Sequence, residues 1–538
     1  MPARMTGMTT DEAVTPPTSK VSHRFSLVDT VLAAAAGLLS AAVALGVGQL
    51  VAVLTGPATA PVSAVDQGVV VLTPEWAKEF AIRTFGENDK LALMIGTLLL
   101  VALVAMAIGM ASGFRRELGI IGIGLFGLIG AFAALRTIPN ATFVVVAPSI
   151  AGGIAGAFAL WWMIRRKKPE PVEMPTERTG LDRRGFLLAA GISLAVGVVG
   201  NGVGKFLVDQ RYNVATVRAK LRFARPASPA PALPAGVDLK LPGLTPFSTT
   251  NSSFYRVDTA VVPPQINPAD WQLRIHGMVD REMEISFAEL VNRDLIERDI
   301  TFTCVSNEIG GKLTGQARWL GVPLADLLRE AGVRPGADQI FTTSADGWTC
   351  GTPTDAVMNT PNAMLAVGMN GEPLPVIHGF PVRMIVPGLY GYVSGTKWIV
   401  DMELTTFATG PKPYWVQRKW KTTAPIKTMA RIDTPGALVD VPAGQPVAVA
   451  GMAWAQTRGI EKVEVRVNNG DWQQTELAAA ANNQTWRQWW WKWVPAGTGI
   501  QSLAVRATDG TGAVQTDQRA DPFPNGASGW HTVAVNVL

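Results

Sequence analysis

Cysteine and histidine are scarce. The 538-residue chain has two cysteines, Cys304 and Cys350, and four histidines, His23, His276, His378 and His531. Two cysteines limit covalent stapling to a single bridge and leave no cluster for iron–sulfur ligation. None of the histidines falls in a long apolar stretch, which excludes a bis-histidine haem held between membrane helices. Charge is nearly balanced, with 47 Lys and Arg against 42 Asp and Glu, and the small excess lies partly beside apolar segments. Basic residues in that position report membrane orientation rather than a nucleic-acid partner.

Apolar residues make up 48% of the chain, too much for a purely soluble protein, and the excess is concentrated in the first 208 residues. Five apolar stretches run from about Leu27 to Leu54, Leu91 to Gly113, Leu118 to Leu135, Ala141 to Met163 and Gly185 to Val208. Each approaches the ~20 residues a helix needs to cross a hydrocarbon layer of roughly 30 Å. Buried core helices are the alternative, and the short charged or Pro-rich joints argue against it. The segment "GIIGIGLFGLIG" (119–130) has small residues suited to close helix packing in lipid.

With a cytoplasmic N-terminus, the inner segments hold Arg4, Lys20, Arg24, Arg115, Arg116, Arg165, Arg166, Lys167, Lys168, Arg178, Arg183 and Arg184. The outer joints hold only Lys78, Arg83, Lys90 and Arg136, the asymmetry that orients membrane helices. Five crossings place residues 209–538 on the outer face of the cytoplasmic membrane. Arg183 and Arg184, just before Phe186, Leu187 and a Gly/Ala-rich helix, also resemble a twin-arginine export signal acting on the last helix. Ordinary orientation arginines are the other reading. Export of that kind implies a domain that folds before it crosses, as one loading a bulky cofactor in the cytoplasm must.

The expected organisation is a cytoplasmic tail (1–26), a five-helix membrane domain (27–208), a Pro/Ala-rich linker (209–244), a mixed α+β domain (245–410) and a C-terminal domain (425–538). In the linker, "RFARPASPAPALPAG" (222–236) reads as extended and poor at packing. Strands are expected at 271–279 and 380–388, and helices at 286–294, with a Ser286/Glu289 capping box, and at 323–333. Beyond about residue 425, short alternating runs separated by Gly, Asn or Asp turns predict an immunoglobulin-like β-sandwich. Eight of the 17 tryptophans fall there, and a packed core with an interface explains them without chemistry.

Cys304 stands in "TFTCVSNEIGGKLTGQ" (301–316), where its residue type allows a buried small hydrophobe, half of a disulfide, a nucleophile or a metal ligand. Longer segments narrow the choice. The chain resembles the sulfite oxidase family of molybdopterin enzymes across nearly all of residues 245–538. The resemblance is carried by "NSSFYRVDTAVVPPQINPADWQLRIHG" (251–277), "TFTCVSN" (301–307), "ARWLGVPLADLL" (317–328) and, most specifically, "MNGEPLPVIHGFPVRMIVPGLYGYVSGTKW" (369–398). With five membrane helices ahead of it, the chain looks like an actinobacterial-type membrane-anchored subgroup.

The resemblance implies a single Mo-molybdopterin ligated by Cys304, consistent with the affinity of thiolate for a soft site. It implies His378, Arg383 and Lys397 around the cofactor phosphate, Asn251, Phe254 and Tyr255 along the pterin, and Asn307 as a further cofactor-binding residue. Arg256 keeps one anion-holding position, Trp319 an aromatic wall, and Trp348 the place of an active-site tyrosine. Cys350 matches no ligand. The C-terminal domain corresponds to one used for dimerisation in some members, so a homodimer is possible. With neither haem nor an iron–sulfur cluster, electrons require a separate partner, a cytochrome or the quinone pool.

One departure bears on substrate. Where sulfite-oxidising members place paired arginines after Cys-x-x-Asn, this chain has Glu308 and Ile309, which weakens a dianion site. Arg487, in the tryptophan-rich strand, is a candidate replacement. The expected activity is two-electron oxygen-atom transfer, either sulfite-oxidase-like or S-/N-oxide-reductase-like. The competing reading is a non-catalytic membrane-anchored scaffold in which Cys304 is idle or bridged to Cys350.

Overall fold

The computed structural model describes residues 27–74, 77, 80, 84–85, 89–138, 141–164 and 183–538. The 1–26 tail, Lys78, Arg83, the basic run from 165 to 178 and the 179–182 part of the export motif lie outside the described residues. Five helices are long and apolar enough to cross a membrane. These are α1 (Leu27–Thr55), α3 (Asp89–Phe114), α4 (Arg116–Thr137), α5 (Ala147–Met163) and α6 (Arg183–Tyr212), with a short apolar helix α2 (Pro61–Leu72) between the first two. The sequence reading missed α2, whose 12 residues are too few to span a bilayer.

Small residues set the crossings. A Cβ on Gly37 of α1 would collide with the Ala105 carbonyl of α3, and one on Gly152 of α5 with the Ala44 carbonyl of α1. In the 119–130 segment, Gly127 faces Gly153 and Gly130 faces Ser149, so the predicted packing role holds at these positions.

Residues 222–236 are extended as predicted but do not hang free. Ser228 bridges Ile296, its carbonyl accepts from Glu297 N at 2.9 Å, and Arg298 Nη1 donates to the same oxygen at 2.9 Å. The prolines prevent the segment from pairing as a full strand, yet its free carbonyls still find donors on the domain. The segment is a strap held by main-chain hydrogen bonds, while its side chains stay largely exposed, as poor packing predicts.

The domain that follows contains ten strands. They are β1 (Gln272–Gly277), β2 (Met283–Ser286), β3 (Ile296–Thr303), β4 (Thr314–Pro323) and β5 (Gln339–Ser344), followed by β6 (Thr349–Pro353), β7 (Met364–Met369), β8 (Glu372–Pro373), β9 (Arg383–Ile385) and β10 (Ile399–Thr405). One sheet has the order β2-β1-β10-β5-β6, and the other β3-β4-β7-β8 with β9 also on β7. A common core of Leu273, Ile275, Ile340, Leu365, Met384 and Leu404 joins them, sealed by Leu324, Leu327 and Leu328 of a short helix. That helix, Leu324–Ala331, stops at Gly332 in the left-handed region, and the Ser286/Glu289 capping box is present as predicted. The strand expected over 380–388 shrinks to β9, because Pro381 and Pro387 lack the N–H a ladder needs.

The C-terminal region has two sheets. Met429–Thr434, Val447–Trp454, Arg487–Trp493 and Glu476–Leu477 form one, and Asp440–Val441, His531–Val537, Gly499–Asp509, Ile460–Val467 and Gln473–Gln474 the other. Trp489, Val449, Val465, Val505 and Val535 pack between them. A separate cluster containing Phe247, Tyr392, Trp420, Met452 and Trp486 joins this region to the preceding domain.

Candidate active site

Strand β3 ends at Thr303, and Cys304 opens a loop that returns to β4. Cys304 N donates to Leu313 O at 2.9 Å, and Leu313 N donates to Asn307 Oδ1 at 2.7 Å, so the loop is closed at its neck. The C-terminal region clamps its tip. Arg431 Nη1 donates to Gly311 O at 2.7 Å, and the His531 ring fills the place of a Cβ at Gly310, whose φ of 75° already favours glycine.

A cavity of about 890 Å³ opens at this loop. Among its lining residues are Phe254, Tyr255, Arg256, Cys304, Glu308, Ile309, Trp348, Arg383 and Lys397 from the sequence expectations. Others went unseen: Asp258, Lys312, Tyr392, Trp415, Trp420, Arg519 and, from the first helices, Val70, Lys90 and Leu93. Asp258 lies two residues after Arg256, a spacing that puts both on one side of an extended chain. That signal was legible. No comparable signal connects Lys90, which is 168 positions away from Asp258.

Cys304 and Cys350 are both free. Burial pushes the Cys304 thiol up, partly offset by Ser306 and Lys397. Cys350 is fully buried, its Sγ 3.3 Å from Tyr392 O, and burial pushes it to about 11. The bridge that a scaffold reading invoked is therefore not formed.

Arg383 is the most unusual cation in the wall. It is 3% exposed, donates from Nη1 to His378 O at 3.1 Å, and lies over the rings of Trp319 at 5.1 Å and Phe302 at 5.2 Å. Among the described residues no carboxylate pairs with it, and its Nε has no partner. Burial lowers its pKa to about 10, where Tyr255 and Asp258 pull it back up. Lys397 Nζ lies 2.9 Å from Asp258 Oδ2 and 3.0 Å from Ile377 O. Trp398, the next residue, holds φ at 49°, costly for an aromatic side chain and fixed here by its indole N–H on Val376 O.

Four expected site residues sit behind the wall. Trp319 is fully buried, its Nε1 on Ile300 O, and backs Arg383 instead of forming a wall itself. Asn307 serves the loop neck. His378 Nε2 donates to Asn251 O at 2.9 Å, and its Nδ1 is buried without a partner. Burial, then Lys397, pushes its pKa to about 3, so the ring is neutral. The Asn251 side chain bonds Met369 O and Asn370. Arg487 is a plain correction: it donates to Ala478 O and Ile460 O within its own domain, because its strand turns it away from the cavity.

These residues suit a molybdopterin. A buried guanidinium without a carboxylate, an orphaned Arg383 Nε and a free thiol on the same wall match an anionic group and a soft metal.

Sequence comparisons with known proteins point the same way. Residues 259–414 match the oxidoreductase molybdopterin binding domain family. The uncharacterized oxidoreductase YuiH of Bacillus subtilis is 32% identical over 164 residues, 30% of this chain and 78% of that protein. Mitochondrial sulfite oxidase of Rattus norvegicus is 27% identical over 344 residues, 54% of this chain and 62% of the rat protein, so this chain spans less than two thirds of it. Among solved structures, the sulfane dehydrogenase SoxCD of Paracoccus pantotrophus aligns with a TM-score of 0.47 at 21% identity, covering 55% of this chain and 84% of that one.

Proposed function

Because the chain belongs to the sulfite oxidase family of molybdopterin-dependent oxidoreductases, we propose that it is a membrane-anchored member catalysing two-electron oxygen-atom transfer on the outer face of the cytoplasmic membrane. The observation that carries this reading is one cavity wall holding both the free Cys304 thiol and the buried, carboxylate-free Arg383. Bound there, the molybdenum centre would supply the oxygen-atom exchange itself, as such cofactors do.

The chain's own residues hold and orient. Cys304 is the thiolate ligand. Arg383 and Lys397 receive the phosphate, with Asn251 and His378 fixing each other behind them. Phe254 and Tyr255 flank the pterin, Arg256 faces the substrate, and Trp348 with Trp415 excludes water. Residues 27–208 form the anchor, 245–410 the cofactor domain and 425–538 an immunoglobulin-like domain. Its exposed faces suit a homodimer contact. Export by the Arg183–Arg184 pair and electron exchange with a cytochrome or quinone complete the reading.

Glu308 and Ile309 on the wall favour a neutral or weakly charged S- or N-oxide over sulfite. The direct test is metal and pterin analysis of the full chain purified from membranes in detergent. Stoichiometric molybdenum and a single pterin are expected, and neither being present would remove the reading.

A further inference from the structure

Among the described residues that line the cavity, six are cations and four are carboxylates. Asp258, with a side chain 7% exposed, is gripped from three parts of the chain. Arg256 Nε lies 3.0 Å from Oδ2, Lys397 Nζ lies 2.9 Å from Oδ2, and Lys90 of α3 pairs with Oδ1. Arg256 and Lys397 thus share one carboxylate with Lys90, and the buried Arg383 has none among the described residues. Asp346 lines the same cavity, where burial raises its pKa and hydrogen bonds with Ser344 and Trp348 work against that. Buried charge in excess is costly unless a counter-ion joins it.

The contact from α3 is not isolated. Gln67 of α2 donates to Thr259 O at 3.2 Å and accepts from Val261 N at 3.1 Å, so both helices are pinned to the segment carrying Arg256 and Asp258. The first helices are thus joined to the wall of the site by side-chain chemistry.

We propose that Lys90 is a positioning residue of the active site: by sharing Asp258, it leaves Arg256 and Lys397 directed at a phosphate- or sulfate-type oxyanion in the cavity. The membrane domain then completes the site as well as anchoring it. The inference rests on the proposed function for its setting, although the anion it requires has two sources, the cofactor's phosphate and an anionic substrate.

The test uses the full chain in detergent, as wild type, Lys90→Met and Lys90→Arg, with sulfate as probe and tryptophan fluorescence as readout, since Trp348, Trp415 and Trp420 line the cavity. Methionine keeps the apolar stem of lysine, so the helix contact survives. Loss of a charge-assisted contact should weaken sulfate binding by about ten- to a hundredfold in Lys90→Met, and Lys90→Arg should restore it. Weakening only in cofactor-free protein assigns the anion to the cofactor's phosphate, and weakening that persists in loaded protein, where that phosphate is already bound, assigns it to substrate. Unchanged sulfate affinity in both forms overturns the inference. So does a Lys90→Arg variant as defective as Lys90→Met, which would indicate helix packing alone. Should Lys90→Met not fold, Lys90→Gln gives the same test, and unaltered sulfate affinity there overturns the inference too. Wild-type protein without molybdenum would remove the proposed function while leaving the sulfate comparison intact.

Discussion

The side-chain oxygen of Asn307 accepts the backbone N–H of Leu313 at 2.7 Å, closing the loop that begins at Cys304. Asn307 is 5% exposed, and alanine there leaves the partly buried Leu313 N–H without this partner. Asn307→Ala should cost roughly 1–3 kcal/mol of stability and lower molybdenum retention, read by thermal unfolding and metal analysis. A variant as stable as wild type, with full metal, would contradict the role of this neck.

The two cysteines should separate cleanly. Cys304→Ser should abolish turnover and change the metal's absorption spectrum while the protein still folds. Cys350→Ala should remain active, since Cys350 contacts Thr352 and Tyr392 rather than the cavity. The reverse pattern would move the ligand assignment.

Lys397 gives the site a pH dependence. Burial pushes its ammonium down to about 8, against the pull of Asp258. Arg383 and Lys90 push the same way as burial, and His378 and Asp346 also face it. Below that value the group is charged and holds an anion; above it the charge is lost. Sulfate affinity should therefore be flat toward neutral pH and fall as pH rises past 8. A profile without that fall would place the titration elsewhere.

Glu308 and Ile309 both line the cavity, so the departure seen in the sequence is a departure in the wall. Sulfite oxidation by wild type should show a high KM. Ile309→Arg combined with Glu308→Arg should lower it by about one to two decades, as one or more charge-assisted contacts of roughly 1.5–3 kcal/mol return. Efficient wild-type use of micromolar sulfite would show that Arg256 and Lys397 suffice.

On the proposed topology, replacing Arg183 and Arg184 by lysine preserves the charge on the inner side. That reading expects the first four crossings to persist while residues 209–538 stay protected from protease in spheroplasts. Normal export would make the pair an orientation signal only.

Local rules reached far into this molecule because many elements are locally specified. The apolar runs, the Ser286 capping box, the Gly332 stop and the alternating strands after residue 425 all declare themselves within a few residues. Cys304, Arg383 and Lys397 were legible through their surrounding segments. What escaped depends on distant packing. Trp319 was expected as an aromatic wall and His378 at the cofactor phosphate, yet each is pulled one layer back by a bond to a main-chain carbonyl, Ile300 O and Asn251 O. Lys90 counted only as a charge outside the membrane, because nothing near it in sequence announces Asp258.

The clamp on the Cys304 loop also orders events in time. Gly310 and Gly311 rest on His531 and Arg431, residues made well after Cys304 has left the ribosome. Until those strands dock, the loop lacks its outer support, so a growing chain cannot offer a finished pocket. A chain cut short in its last strands would therefore leave the Cys304 loop without its outer support even with Cys304, Arg383 and Lys397 already made.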